Sequence, residues 1–252
     1  MIQNPTINKL IQLHLTAMAD AYRIQMQDSS LFSLSFEERF GMLVDNEYTS
    51  RKNNRLKRLI KQASFDQSQA HIGDINYETG RRLDKQIIRE LASGEYIVNK
   101  HNVIILGATG AGKSYLSCAL GMEACKQFYS VRYSRLPELL NELAVARNEG
   151  IYNKAMDRYR KVNLLILDEW MLWNLTETEA RDLLELVHMR HKRASTIFCS
   201  QFSPAGWHEK IGEATLADAI LDRIVHDSYV IEIHNGEQDH SMREVYGIKN
   251  RS

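Results

Sequence analysis

Apolar residues recur along this chain in two rhythms. Short apolar runs at 103–106, 164–167, 195–199 and 229–233 predict buried strands, and 131–134 predicts a shorter one. Between them, stretches at 115–128, 137–148, 150–160, 176–193 and 216–225 carry helical spacing. Thr176-Glu177-Thr178-Glu179 resembles a capping box, and the basic Arg190-His191-Lys192-Arg193 suits the end of the same helix. Strands alternating with helices predict an α/β fold with a parallel sheet covered on both faces.

The N-terminal part has only the helical rhythm. Ile7, Leu10, Ile11, Leu15, Met18, Ala21, Tyr22 and Met26 predict one amphipathic helix over 6–28, broken at Asp28-Ser29-Ser30. Ser35-Phe36-Glu37-Glu38 is a capping-box signature that opens a second helix, with Phe36, Phe40, Leu43, Val44 and Tyr48 as its expected buried face. Residues 64–82 are polar and irregular, with Gly73 and Gly80. The expected organisation is a small helical domain over 1–66 and an α/β domain over 67–252. A helix from Arg81 to Leu91 should lead into the first strand. Ile72, Ile75 and Tyr77 are candidates to wall the adenine pocket, although core packing is the better explanation of each.

Charge adds one feature. Over 252 residues, 32 Lys and Arg balance 32 Asp and Glu, so total charge does not announce a nucleic-acid partner. The run from Arg51 to Lys61 nevertheless holds Arg51, Lys52, Arg55, Lys57, Arg58 and Lys61 without one acid. Leu56, Leu59 and Ile60 mark its inward face. Most charge runs are solvated helix surfaces, but those usually interleave Glu for pairing. A run without acids favours a surface that tracks phosphates, so Arg51, Lys52, Arg55, Arg58 and Lys61 are predicted DNA contacts. Lys154 and Arg158, with Arg147, form a second basic stretch that could add to it.

Cys118, Cys125 and Cys199 form no C-x-x-C pair and read as small buried residues in a reducing compartment. The histidines show no metal-ligand spacing. The N-terminus lacks the pattern of a signal peptide, and no apolar stretch approaches the roughly 20 residues of a membrane span. A cytoplasmic, non-membrane protein is expected.

The chemistry centres on Gly107-Ala108-Thr109-Gly110-Ala111-Gly112-Lys113-Ser114, which fits G-x-x-x-x-G-K-[ST] between a predicted strand and a predicted helix. Glycines let backbone N–H groups curl toward phosphate oxygens, and the following helix, from Tyr115 on, adds its positive end. Lys113 supplies a cation for the β/γ-phosphates, and the Ser114 hydroxyl can ligate Mg²⁺. The strand at 164–167 ends in Asp168-Glu169. A carboxylate at such a strand tip holds Mg²⁺ in nucleoside triphosphatases, which assigns Asp168 to the metal. Glu169 then stands where it could orient and deprotonate water.

These stretches resemble the IstB/DnaC branch of AAA+ P-loop ATPases, and within it the IstB-type helper ATPases of bacterial insertion sequences. The resemblance rests on Ser35-Phe36-Glu37-Glu38-Arg39 through the basic run, Gly80-Arg81-Arg82-Leu83-Asp84-Lys85, the two nucleotide motifs, and Leu216-Ala217-Asp218-Ala219-Ile220-Leu221-Asp222-Arg223. It implies an AAA+ fold with a five-stranded parallel sheet of order 5-1-4-3-2 and an all-helical N-terminal domain. It also implies Mg²⁺-dependent ATP hydrolysis by a homo-oligomer on double-stranded DNA, with ATP at subunit junctions and an IstA-like transposase as partner. By the same resemblance Ser200 or Gln201 occupies the position that senses the γ-phosphate, and Arg223 reaches a neighbour's ATP. A salt bridge to Asp222 or Glu232 is the plain alternative for Arg223. The family often ends in Gly-x-Ser-x-Arg; here Gly236 and Ser241-Met242-Arg243 are separated by extra polar residues, which leaves the role of Arg243 open. A helicase loader of the DnaC/DnaI type is the competing reading, although no zinc-binding cysteines precede Cys118. A P-loop small-molecule kinase is a third reading, which leaves the basic run and Arg223 without purpose.

Overall fold

A computed structural model of the chain describes residues 4–77 and 83–233. It divides into two compact units, residues 1–58 and 59–252.

In the first unit the expected single helix is two, α1 (Pro5–Gln12) and α2 (Thr16–Gln27). The chain breaks between them at His14, whose φ of 58° is left-handed. No glycine or proline marks that break. Helix α3 (Phe36–Ala63) opens with the expected capping box: Glu38 N–H donates to Ser35 Oγ, and Ser35 N–H to Glu38 Oε2. Its buried face differs from the expectation. Leu43 and Glu47 point inward, whereas Phe36, Phe40, Val44 and Tyr48 are exposed, Phe36 by 75%. Glu47 can be buried because its carboxylate accepts from Met18 N–H at 3.1 Å and Arg51 Nε at 2.7 Å. The Arg51 hydrogen bond holds the Glu47 carboxyl below the usual range. Glu47 therefore caps the first turn of α2 from a neighbouring helix.

The second unit is built on β1 (Asn102–Gly107), β2 (Val131–Arg135), β3 (Leu164–Asp168), β4 (Ser195–Ser200) and β5 (Ser228–Ile233). They form one sheet of order β2-β3-β4-β1-β5 with every neighbouring pair parallel. This is the order that the family resemblance implies, read from the other edge. Around it run α4 (Lys85–Ala92), α5 (Glu95–Val98), α6 (Lys113–Lys126), α7 (Leu136–Asn148), α8 (Tyr152–Arg160), α9 (Glu177–Arg190), α10 (Pro204–Ile211) and α11 (Ala214–Val225). Helices α5 and α10 were not expected from the sequence pattern. The predicted helix at 81–91 is seen from Lys85; Arg81 and Arg82 lie outside the described residues.

Leu165, Leu167 and Phe198 share one cluster with side chains of α7 to α11. Ile166 instead meets α6, where Gly121 lets the helix lie close: a Cβ there would stand 2.8 Å from Ile166 and 2.6 Å from the Phe65 ring. Most positions of helix α6 are buried, and it is covered on both sides. The segment whose composition suggested a connection thus packs on the α/β unit, with Phe65 on Gly121 and His71 N–H donating to the Tyr115 hydroxyl at 3.2 Å. Among the described residues no helix is long and apolar enough to cross a membrane.

Candidate nucleotide site

β1 ends at Gly107, and α6 begins at Lys113. The intervening turn uses left-handed backbone at Gly110 (φ 78°) and Gly112 (φ 93°), which other residues rarely adopt. Gly107 is needed for a different reason, since a Cβ would lie 2.9 Å from the Ile233 carbonyl of β5. No side chain caps α6, so the positive end of this helix opens onto the loop. Lys113 is nearly buried and spans the loop, its Nζ donating to the Gly107 and Ala108 carbonyls at 2.8 Å each. Ser114 and Tyr115 follow on the first turn of α6, and the Tyr115 hydroxyl secures the segment that holds Ile72, Ile75 and Tyr77. Those three are half-buried; Ile72 lies in the turn that packs on α6, and the Tyr77 ring takes Lys85 Nζ of α4 at 5.4 Å.

Asp168 is the last residue of β3 and is 4% exposed. Its Oδ2 accepts from the Tyr133 hydroxyl of β2 at 2.8 Å, and its Oδ1 accepts from Glu169 N–H at 2.8 Å. Burial and the Asp168 charge push the Tyr133 phenol far up, so it remains a donor. Glu169 departs into left-handed backbone, φ 55°, and so does Met171, φ 55°. Between them Trp170 turns inward and packs on Phe198 and Trp207, with ring centroids 4.7 and 5.9 Å away. One carboxylate is thereby held inside and its neighbour sent out. Glu169 is half-exposed, 3.9 Å from Arg135 Nε, and Arg135 also pairs with Asp66 at 3.2 Å. Tyr133, Arg135 and Asp66 were not singled out from the sequence. The register Arg135 opposite Asp168 would have pointed to the first two, but register is not readable before the strands pair.

Ser114 and Asp168 offer hydroxyl and carboxylate oxygens, hard donors suited to Mg²⁺. Among the described residues no cluster of three His, Cys, Asp or Glu forms a metal site by itself. The three cysteines are buried, and burial pushes the Cys118 thiol up to about 11 and Cys125 up to about 12.

The remaining candidates separate. Ser200 is buried with its hydroxyl committed: it donates to the Trp170 carbonyl at 2.8 Å and accepts from Phe202 N–H and Trp207 Nε1. Gln201 is exposed at the same strand tip. Arg223 lies at the other end of the sheet. Two hydrogen bonds place the end of α11 there: Asn102 N–H, at the start of β1, donates to the Asp227 carbonyl, and His191, just before β4, contacts the Arg223 carbonyl. The six residues of β1 span about 17 Å at ~3.3 Å per residue, so Arg223 cannot serve the phosphate loop of its own chain. It makes no ion pair among the described residues; Asp222 faces His226 instead. Arg243 lies outside the described residues.

Of the basic candidates, Arg51 is engaged by Glu47 and the His14 carbonyl, and Lys52 Nζ sits 4.5 Å over the Tyr48 ring. Arg55, Arg58 and Lys61 are exposed along α3. On α8, Lys154 is exposed, while Arg158 pairs with Glu142 at 2.6 Å and Arg147 on α7 pairs with Asp182.

A phosphate loop between β1 and α6, a carboxylate pair at the tip of β3 and the order β2-β3-β4-β1-β5 define an AAA+ P-loop nucleotide-binding protein. The fold is shared with AMPPCP-bound DnaA of Aquifex aeolicus (TM-score 0.56, 20% identity, 69% of this chain and 52% of that one). It is shared also with the DnaC helicase loader (TM-score 0.54, 16% identity, 66% of this chain and 97% of that one). The chain belongs to the IstB-like ATP binding protein family, which it matches over residues 8–245. The insertion sequence ATP-binding protein y4pL of Sinorhizobium fredii is 40% identical over 92% of this chain and 95% of its own. The IS1162 ATP-binding protein of Pseudomonas fluorescens is 42% identical over 80% and 87%.

Proposed function

We propose that this protein is a Mg²⁺-dependent ATPase that assembles on double-stranded DNA and stimulates the transposase of its insertion sequence. The observation that carries the ATPase reading is the divided pair at the tip of β3, Asp168 buried and Glu169 turned out. Lys113 and the α6 N-terminus hold the phosphates. Ser114 and Asp168 hold Mg²⁺, which when bound neutralises phosphate charge. Glu169 orients water and takes its proton, and Gln201 contacts the γ-phosphate. Arg223, at the far end of the sheet, acts on the ATP of a neighbouring subunit. The exposed Arg55, Arg58 and Lys61 support DNA contact along α3. Similarity to insertion sequence proteins favours a transposase over a replicative helicase as partner.

The test is ATP turnover by mixed variants, with and without duplex DNA. Glu169→Gln should bind ATP without hydrolysing it, and Arg223→Ala should still bind ATP while lowering turnover on the order of 10³-fold. Mixed together they should recover activity at junctions that join an intact Glu169 to an intact Arg223. Rates independent of protein concentration, with no recovery on mixing, would remove the trans role. Addition of a transposase from an insertion sequence of this family should give DNA-dependent stimulation of strand transfer; stimulation of a helicase instead would favour the loader reading.

A further inference from the structure

Arg190, the last residue of α9, is 3% exposed and has no carboxylate partner among the described residues. Burial pushes its guanidinium down to about 9. Its hydrogen bonds go to main-chain carbonyls and one hydroxyl: Tyr159 (2.8 Å), Val162 (2.9 Å), Arg160 (3.2 Å) and Ser195 carbonyls, and Thr196 Oγ1 (3.0 Å). This planar fork ties the end of α9 to the end of α8 and the start of β4. The next residue, His191, is thereby fixed in place. Its Nδ1 lies 3.2 Å from the Arg223 carbonyl. A carbonyl only accepts, so Nδ1 carries the proton. That carbonyl belongs to the last turn of α11, whose final carbonyls lack partners within the helix. Ser228 Oγ donates to the neighbouring Ile224 carbonyl.

We infer that His191 is a positioning residue for Arg223: it grips the main chain from which the trans-acting guanidinium departs and so sets where that group enters the neighbouring site. This rests on the trans role of Arg223 proposed above. An arginine that must meet a phosphoryl group across a subunit junction gains from a fixed α-carbon, since a misplacement of 1 Å can cost about 10²-fold in rate. The contact acts on the donating side of a junction and leaves the phosphate loop of its own chain untouched.

Complementation separates this from a general structural role. His191→Ala should lower turnover about tenfold with ATP affinity unchanged. Mixed with Glu169→Gln it should recover activity above the sum of the separate rates, because it brings an intact Glu169 to a well-held Arg223. Mixed with Arg223→Ala it should recover nothing, because both impair the same side of the junction. His191→Asn, whose amide can place an N–H near the Nδ1 position, should restore turnover to within about threefold of the parent. Recovery between His191→Ala and Arg223→Ala would overturn the inference, as would His191→Asn turning over as slowly as His191→Ala. The pair Arg223→Ala with Glu169→Gln is the reference. If that pair fails to recover, the trans reading falls and this inference with it. If it recovers while His191→Ala does not group with Arg223→Ala, this inference alone falls.

Discussion

Tyr133 and Asp168 meet across the β2–β3 pair, where the phenol donates to Oδ2 at 2.8 Å with both side chains buried. With Oδ1 accepting from Glu169 N–H as well, the carboxylate is fixed in orientation, and each oxygen keeps a lone pair for a metal ion. Tyr133→Phe keeps the ring and removes only the hydroxyl. It should raise the Mg²⁺ concentration needed for tight ATP binding by about tenfold, with metal-free nucleotide binding unchanged. Mg²⁺ titration of a fluorescent ATP analogue checks this. An unshifted midpoint would mean that Asp168 does not need Tyr133 for its orientation.

Ser200 and Gln201 should part in opposite ways. Ser200→Ala leaves the Trp170 carbonyl and the Phe202 N–H without their hydroxyl partner, and should cost about 1–3 kcal/mol of stability. Gln201→Ala should leave Tm unchanged and lower turnover by roughly 10-fold or more, through loss of a group that acts on the transition state. Thermal melts and ATPase rates of both variants check the pair. A stable Ser200→Ala with poor turnover would reverse the assignment.

The DNA surface is tested by charge. Arg58→Glu with Lys61→Glu should weaken duplex binding and flatten its salt dependence by about one unit of slope for each phosphate no longer neutralised. Lys154→Glu should change the slope little if α3 carries the DNA. Binding isotherms at several salt concentrations decide, and the reverse pattern would move the surface to α8.

The α/β unit was largely legible because buried parallel strands announce themselves as unbroken apolar runs. β1, β3, β4 and β5 each appear within a residue or two of the expected runs. Loop and carboxylate pair were legible because their spacing is set by chemistry. Strand order was not in the pattern of residues; it came with the family resemblance. The N-terminal unit was read less well. Phe36, Phe40 and Val44 repeat every fourth residue and look like a core stripe, yet the inward positions are Leu43 and Glu47. Periodicity finds an apolar face without saying what covers it, and a buried glutamate is visible only once Met18 N–H and Arg51 are beside it. Ser200 and Gln201 stood equal in the sequence. Trp170 and Trp207, distant along the chain, engage the Ser200 hydroxyl, and that contact is what supports proposing Gln201 for the role.

The turn after β3 has a thermal consequence. Glu169 and Met171 each hold left-handed backbone at a cost of about 1–2 kcal/mol, offset by the burial of Trp170 between Phe198 and Trp207. Phe198 lies on β4 and Trp207 on α10, and all three rings belong to the core that covers the sheet. The outward aim of Glu169 is therefore tied to core packing and not to the turn alone. Heat should withdraw hydrolysis and fold together, with ATPase loss and melting tracking each other in one transition.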